Sequence, residues 1–360
     1  MTVIALAAGG TAGHIEPAIA CAKAIKDLDS QSQVFIIGTE KGLEKDIVPR
    51  RGIELTIIPA TPFPRKINSA LFSLPFRYLA AQRIAKKLLI DKKVDCVIGF
   101  GAYVSLPVYM AARRLKIPVV IHEGNKKAGL ANYLGSKFAD EVFQMFPESI
   151  TGAKTVGMPL RKEITNLNVN ENKISAYQAF GLDPARKTLL VFGGSQGSQT
   201  INKALVGALP ELKDLNIQII HAIGSKNIVD ESTRNFDFYH PISYIEKMEL
   251  AYAVADLVIS RAGAMTIAEQ TVLGIPAIYV PFAVGNGEQT KNVSALIAAG
   301  GGILIADNEI SSSAISELVS RLILNPAKLQ QMSQVSASHG LRDADIKVAQ
   351  SALALARGHK

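Results

Sequence analysis

The chain has no tryptophan and only two cysteines, and aromatic residues make up 6% of its 360 positions. With no C-x-x-C pair, neither a disulfide framework nor a thiolate zinc site is available. Cys21 and Cys96 read as buried thiols of a reducing compartment. The six histidines are scattered and none belongs to an H-E-x-x-H pattern, so no metal site is signalled. No run of about 18 apolar residues occurs, so no membrane-spanning helix is expected. No basic segment precedes the short apolar run at the start, so no secretory signal is expected either. The expectation is a cytosolic protein, free to lie on a membrane. Missing too are G-x-G-x-x-G and G-x-x-x-x-G-K-[ST], the common nucleotide fingerprints.

What is present is globular and somewhat apolar, with 48% hydrophobic and 19% charged residues. The length exceeds one ordinary core, so two domains are expected. A formal net charge of +8 suits nucleic acid, an anionic membrane or a phosphorylated substrate. No basic run interleaves with aromatics, which ranks nucleic acid low.

Strand and helix patterns alternate. Val3–Ala8, Val34–Gly38, Leu55–Ile58, Cys96–Phe100 and Val119–His122 read as short buried strands. Pro17–Leu28, Leu71–Ile90 and Tyr103–Leu115 read as helices between them. A polar stretch near residue 165 carries little strand signal, and then the pattern restarts with strands at Thr188–Phe192, Gln218–Ile223, Leu257–Ser260 and Ala277–Val280. The fold class predicted is α/β, two Rossmann-like domains facing across a cleft, with ligands at the C-terminal strand ends. The boundaries expected are 1–163 and 164–341, with the final helical pattern at 342–360 returning to the first domain.

Several strand ends carry chemistry. Gly9-Gly-Thr-Ala-Gly13 leads into a helix with His14 at its start. Gly193–Ser198 lets backbone approach a ligand while the next helix offers N–H groups, with Ser195 as a hydroxyl donor. The alternative is a tight turn made for packing. Ser260-Arg-Ala-Gly-Ala264 opens another helix, where a diphosphate fits the N–H groups, Arg261 offsets its charge and Glu269 accepts ribose hydroxyls. A solvated helix acid and a surface arginine are the plain alternative. Asn286, Glu288, Gln289 and Asn292 follow a strand and suit sugar hydroxyls, or else cap a helix. Gly99–Ser105, with Tyr103, and His122-Glu123-Gly124-Asn125 end two more strands. The two D-x-D patterns, Asp27–Asp29 and Asp343–Asp345, lie away from strand ends and read as solvated charges.

Taken in order, "GGTAGHIEPAIA", "GFGAYVSLP", "HEGNKKAGLAN", "VGMPLR", "FGGSQGS", "SRAGAMTIAE" and "NGEQTKN" resemble the MurG family across nearly the whole chain. The resemblance implies a two-domain glycosyltransferase B (GT-B) fold. It also implies an inverting enzyme at the cytoplasmic membrane face that moves N-acetylglucosamine from UDP-N-acetylglucosamine onto undecaprenyl-linked lipid I, giving lipid II for peptidoglycan. By resemblance, Ser195 and the backbone of Ala264, Met265 and Thr266 contact the diphosphate, Ile245 borders the uracil, and Glu269 holds the ribose. Gln289 and Glu288 meet the sugar, and Thr11, Ala12, Gly13, Asn125 and Arg161 complete the donor site. Gly9, Gly10, Tyr103, His122 and Glu123 lie on the acceptor side, and His14 is nominated as catalytic base. No protein-bound metal is expected, and a magnesium effect on rate stays open. Glu288, Met158 and Glu16 depart from residues common in the family, Glu16 in the manner of its actinobacterial members. A UDP-N-acetylglucosamine 2-epimerase or another lipid glycosyltransferase is the alternative on the same fold. Leu71, Phe72, Leu74 and Phe76, flanked by Arg65, Lys66, Arg77 and Arg83, suit an anionic leaflet or, alternatively, an amphipathic helix covering the sheet.

Overall fold

The computed structural model describes residues 1–60, 70–283 and 287–358, without the side chains of 70–73. Arg65, Lys66 and Asn286, and the side chains of Leu71 and Phe72, lie outside the described residues. The chain divides into two compact units, Met1–Arg161 with Leu341–Lys360, and Lys162–Gly340.

The first unit runs β1 (Val3–Ala7), α1 (Ala12–Leu28), β2 (Gln33–Gly38), α2 (Glu44–Arg50), β3 (Glu54–Ile57), α3 (Ala70–Asp91), β4 (Cys96–Gly99), α4 (Ala102–Leu115), β5 (Val119–Glu123), α5 (Leu130–Gly135), β6 (Glu141–Gln144) and β7 (Lys154–Thr155). Its strands form one parallel sheet in the order β3-β2-β1-β4-β5-β6-β7. Both faces are covered, so the central strands read as unbroken apolar runs, and β1 is buried at every residue. Strand order reverses between β1 and β4. The loops after those two strands therefore diverge and leave a crevice, the usual ligand position in such sheets.

The second unit runs α6 (Lys162–Thr165), α7 (Val169–Phe180), β8 (Lys187–Phe192), α8 (Gln199–Leu212), β9 (Ile217–Ala222), β10 (Tyr239–Ile242), α9 (Met248–Val254), β11 (Leu257–Ser260), α10 (Ala264–Leu273), β12 (Ala277–Tyr279), α11 (Glu288–Ala298), β13 (Gly302–Leu304), α12 (Ser312–Ile323) and α13 (Pro326–Ser338). Its parallel sheet has the order β10-β9-β8-β11-β12-β13 and reverses between β8 and β11.

The last helix, α14 (Ala344–Gly358), belongs to the first unit. It packs on α1, and Val348, Ala349, Ala352 and Ala356 are fully buried in the same core cluster as Ala18, Cys21 and Ile25. The small side chains let the helix axes approach closely.

Some local expectations shift. Helix α1 begins at Ala12, five residues ahead of Pro17. Pro17 lies inside the helix, in its second turn, and Gly13 and His14 belong to the first turn. The polar stretch after residue 165 contains α7, which buries Ala176 and Tyr177 and packs on α9. Asp345 is 4% exposed, not solvated, and stands in the first turn of α14, where a helix dipole favours negative charge. Asp29, at the C-terminal end of α1, accepts from Ser32 and pairs with Arg357 at 3.1 Å.

Candidate active site

In the first unit the turn after β1 takes four residues, Ala8 to Thr11. It is held from behind by Glu44, a fully buried carboxylate at the start of α2. Glu44 accepts from the Gly10 amide at 2.9 Å, the Thr39 amide at 2.8 Å and the Thr39 hydroxyl at 2.7 Å. Three donors replace the water that such a buried charge loses. The approach is close enough that a Cβ at Gly9 would stand 2.6 Å from Glu44 Oε1. Gly38 and Gly42 press on the same side chain. Tyr103 continues the chain of contacts: its hydroxyl lies 3.2 Å from Thr39 Oγ1, and its ring packs over Gly10.

Thr11 occupies the N-cap of α1 without capping it through its side chain. Its Oγ1 lies 3.1 Å from His14 Nδ1 instead. The first turn of α1 also carries no acid of its own. His14 is half-buried beside the turn after β4; its Cδ2 would be 3.5 Å from a Cβ on Gly101. Burial lowers its pKa below the ordinary histidine value, and the negative charge of Glu44 opposes that shift.

The turn after β5 is internally braced. His122, buried, donates from Nε2 to the Gly157 carbonyl at 2.8 Å, and burial holds its pKa down to about 4. Glu123, also buried, accepts from the Asn125 amide at 2.8 Å, the Gly129 amide at 3.0 Å and Asn132 Nδ2 at 2.9 Å. Both residues, expected on the acceptor side, are turned inward and shape the turn that presents Asn125. Arg161 is half-buried at the end of this unit. Glu16 pairs with Arg51 at 3.4 Å, and Met158 is buried against Gly124.

In the second unit, Gly193 to Ser198 joins β8 to α8. Gly197 has φ +77°, and a Cβ there would fall 2.0 Å from the Ile223 carbonyl oxygen, so no other residue fits. Ser198 caps α8, while Ser195 is exposed at the tip. After β11, Gly263 forms the N-cap of α10 with no side-chain hydrogen bond, and the first turn of α10 carries no acid. Ala264, Met265 and Thr266 thus begin a ten-residue helix whose dipole faces outward, half-exposed. On the same helix, Glu269 is nearly buried and its Oε2 accepts from the Tyr252 hydroxyl at 3.0 Å. Ile245, buried, follows β10. Gln289 Oε1 accepts from the Phe282 amide at 2.8 Å, whereas Glu288 is exposed.

Arg261 is held within its own unit. Its guanidinium is engaged by Asp307, two backbone carbonyls and two hydroxyls, with 12% of the side chain exposed. Asp307 lies three residues beyond β13, too far along the sequence for pattern reading to pair it with Arg261. Glu44 and Tyr252 were likewise missed, though an acid soon after a strand-end Gly-Thr is a signal that local reading can use. Among the described residues no cluster of three or more His, Cys, Asp or Glu forms a metal site.

Two parallel-sheet units, each with glycine turns and uncapped helix starts at its strand reversal, define an α/β enzyme of the GT-B type. Comparison with known proteins gives the same class. Residues 4–144 match the glycosyltransferase family 28 N-terminal domain and residues 188–348 its C-terminal domain. The chain is 44% identical over 345 residues to a Streptomyces avermitilis UDP-N-acetylglucosamine–N-acetylmuramyl-(pentapeptide) pyrophosphoryl-undecaprenol N-acetylglucosamine transferase, covering 95% of each chain. It is 43% identical over 360 residues to the Thermobifida fusca protein of the same name, covering 99% of this chain and 95% of that one. A crystal structure of Acinetobacter baumannii MurG superposes with a TM-score of 0.81 at 26% identity, covering 98% of this chain and all of that one. A Neisseria meningitidis UDP-GlcNAc 2-epimerase shares the fold at 17% identity and a TM-score of 0.70. The chain belongs to glycosyltransferase family 28 and, within it, to the MurG family.

Replacing Glu44 by glutamine sets an amide NH2 against donors that now meet an acceptor. Glu44→Gln is expected to lower the unfolding free energy by about 2 kcal/mol, read by chemical denaturation. Unchanged stability would remove Glu44 as the brace of the first glycine turn.

Proposed function

We propose that the chain transfers N-acetylglucosamine from UDP-N-acetylglucosamine to the 4-hydroxyl of the N-acetylmuramyl unit of lipid I, giving lipid II, at the cytoplasmic face of the membrane. The observation that carries this reading is the uncapped start of α10 with Glu269 fixed on the same helix by Tyr252. Glu269 stands five residues along α10 from Ala264, about 7.5 Å by helical rise, so that a diphosphate on the α10 amides and a ribose on Glu269 would share one helix.

The acceptor O4 attacks C1 of the α-linked donor as the C1–O bond to UDP breaks, and the product is β-linked. Negative charge grows on the departing diphosphate, where the α10 amides and the Ser195 hydroxyl stabilise it. The O4 proton goes to His14. In that role Nδ1–H donates to Thr11 Oγ1 and Nε2 accepts the proton. Because burial lowers its pKa, His14 is neutral and competent at physiological pH.

Membrane attachment falls to α3. No helix among the described residues is long and apolar enough to cross a membrane. One face of α3 buries Ala81, Ala85 and Leu89; away from it Phe76 is 76% exposed, with Leu79, Arg77 and Arg83 also exposed. Apolar insertion with basic anchoring suits an anionic leaflet.

Two experiments test these roles. In a labelled transfer assay with a short-chain lipid I analogue, Glu269→Ala is expected to raise the donor KM roughly 30-fold, the loss of a charged hydrogen-bonding group. His14→Ala should lower kcat by about 100-fold or more with substrate KM values held. The acid limb of the wild-type profile should fall below the ordinary histidine pKa, since protonation removes the base. Wild-type turnover in His14→Ala would discard it as base, and UDP release without acceptor would point to an epimerase or hydrolase. For the membrane, Phe76→Ser with Leu79→Ser should weaken binding to anionic vesicles and leave UDP binding intact. Equal vesicle binding would move the contact elsewhere.

A further inference from the structure

One ion pair reaches the ends of four strands in the second unit. Arg261, after β11, donates from Nη1 to Asp307 Oδ1 at 2.5 Å, to the Val280 carbonyl at 3.1 Å and to the Pro281 carbonyl at 3.3 Å. Its Nη2 donates to Ser198 Oγ at 2.7 Å and Thr200 Oγ1 at 3.0 Å. The Thr200 hydroxyl in turn donates to Asp307 Oδ1 at 2.8 Å, and the Phe282 ring lies 5.3 Å from the guanidinium. Ser198 closes the turn after β8, Val280 and Pro281 follow β12, and Asp307 follows β13. A planar guanidinium with fixed donors sets direction as well as distance, which a lysine or a water network does not. The pair is mostly shielded, with side-chain exposures of 12% and 16%.

We infer that Arg261 and Asp307 are a positioning pair: they fix the Ser195 turn, the start of α10 and residues 280–282 after β12 relative to one another, and do not themselves touch the diphosphate. The inference rests on the reading that these loops hold a nucleoside diphosphate sugar. The carboxylate is essential to it. Held by Asp307, two carbonyls and two hydroxyls, the guanidinium has its charge paired and both Nη groups engaged. Substitutions at the two positions should therefore be interchangeable and non-additive, because either one releases the same knot.

The test measures UDP and uridine affinity by calorimetry for the full chain and for Asp307→Asn, Arg261→Gln and the double variant. Each single variant is expected to bind UDP about tenfold more weakly, with uridine affinity changed less than about twofold and the double variant no weaker than the worse single. The donor KM should rise while the acceptor KM holds. Wild-type UDP affinity in Asp307→Asn beside a loss in Arg261→Gln would make Arg261 a direct phosphate ligand and overturn the inference. Equal losses for UDP and uridine with a lowered unfolding midpoint would also overturn it, as a general loss of fold. If Asp307→Asn does not fold, Thr200→Val carries the test: about a threefold loss for UDP is expected, and wild-type affinity overturns the pair. Failure of the wild type to bind UDP would refute the site itself, an outcome separate from any of these.

Discussion

A helix that starts within a few residues of a parallel strand leaves its first N–H groups without carbonyl partners, and the chain places such starts where strand order reverses in each sheet. The reversals fall between β1 and β4 and between β8 and β11. Neither Thr11 nor Gly263 caps its helix through a side chain, and neither first turn contains an acid. The positive end of each dipole therefore meets neither a side-chain cap nor a first-turn acid, which is what the proposed anion site needs. The glycine turns and the buried braces hold those starts in place.

The two units brace their turns with opposite charges. In the first, a buried carboxylate gathers backbone and hydroxyl donors around Gly10 and Thr39. In the second, a guanidinium gathers acceptors from the ends of β8, β12 and β13. Each solution suits its neighbours. A negative brace near His14 opposes the loss of proton affinity that burial imposes on that imidazole, in keeping with its proposed role as base. In the other unit the cation is paired internally, which fits the positioning role inferred for it.

Much of this was legible in sequence because it is local. Short β-branched runs ending in glycine gave most of the central strands, and the restart of that pattern at Thr188 gave the second sheet. Edge strands such as β10 and β13 were not, since Tyr239–Ile242 and Gly302–Leu304 are short and only partly buried. Pro17 suggested a helix start that lies instead at Ala12; the proline stands in the second turn and leaves the Gly13 carbonyl without its N–H donor four residues on. Glu269 stood out as an acid on the helix after a glycine turn; Tyr252, which donates to it, did not. Asp307 lies 46 residues from Arg261, and a pairing of that separation leaves no local pattern.

The most direct test of the account is an amide NMR titration of the labelled chain with UDP. If the diphosphate rests on uncapped backbone N–H groups, the largest downfield shifts should fall on Ala264, Met265 and Thr266 and on the Ser195 turn, with smaller changes elsewhere in the second unit. Saturable UDP binding that leaves those amides unmoved, with its largest shifts on the face of α8 or on α11, would contradict it.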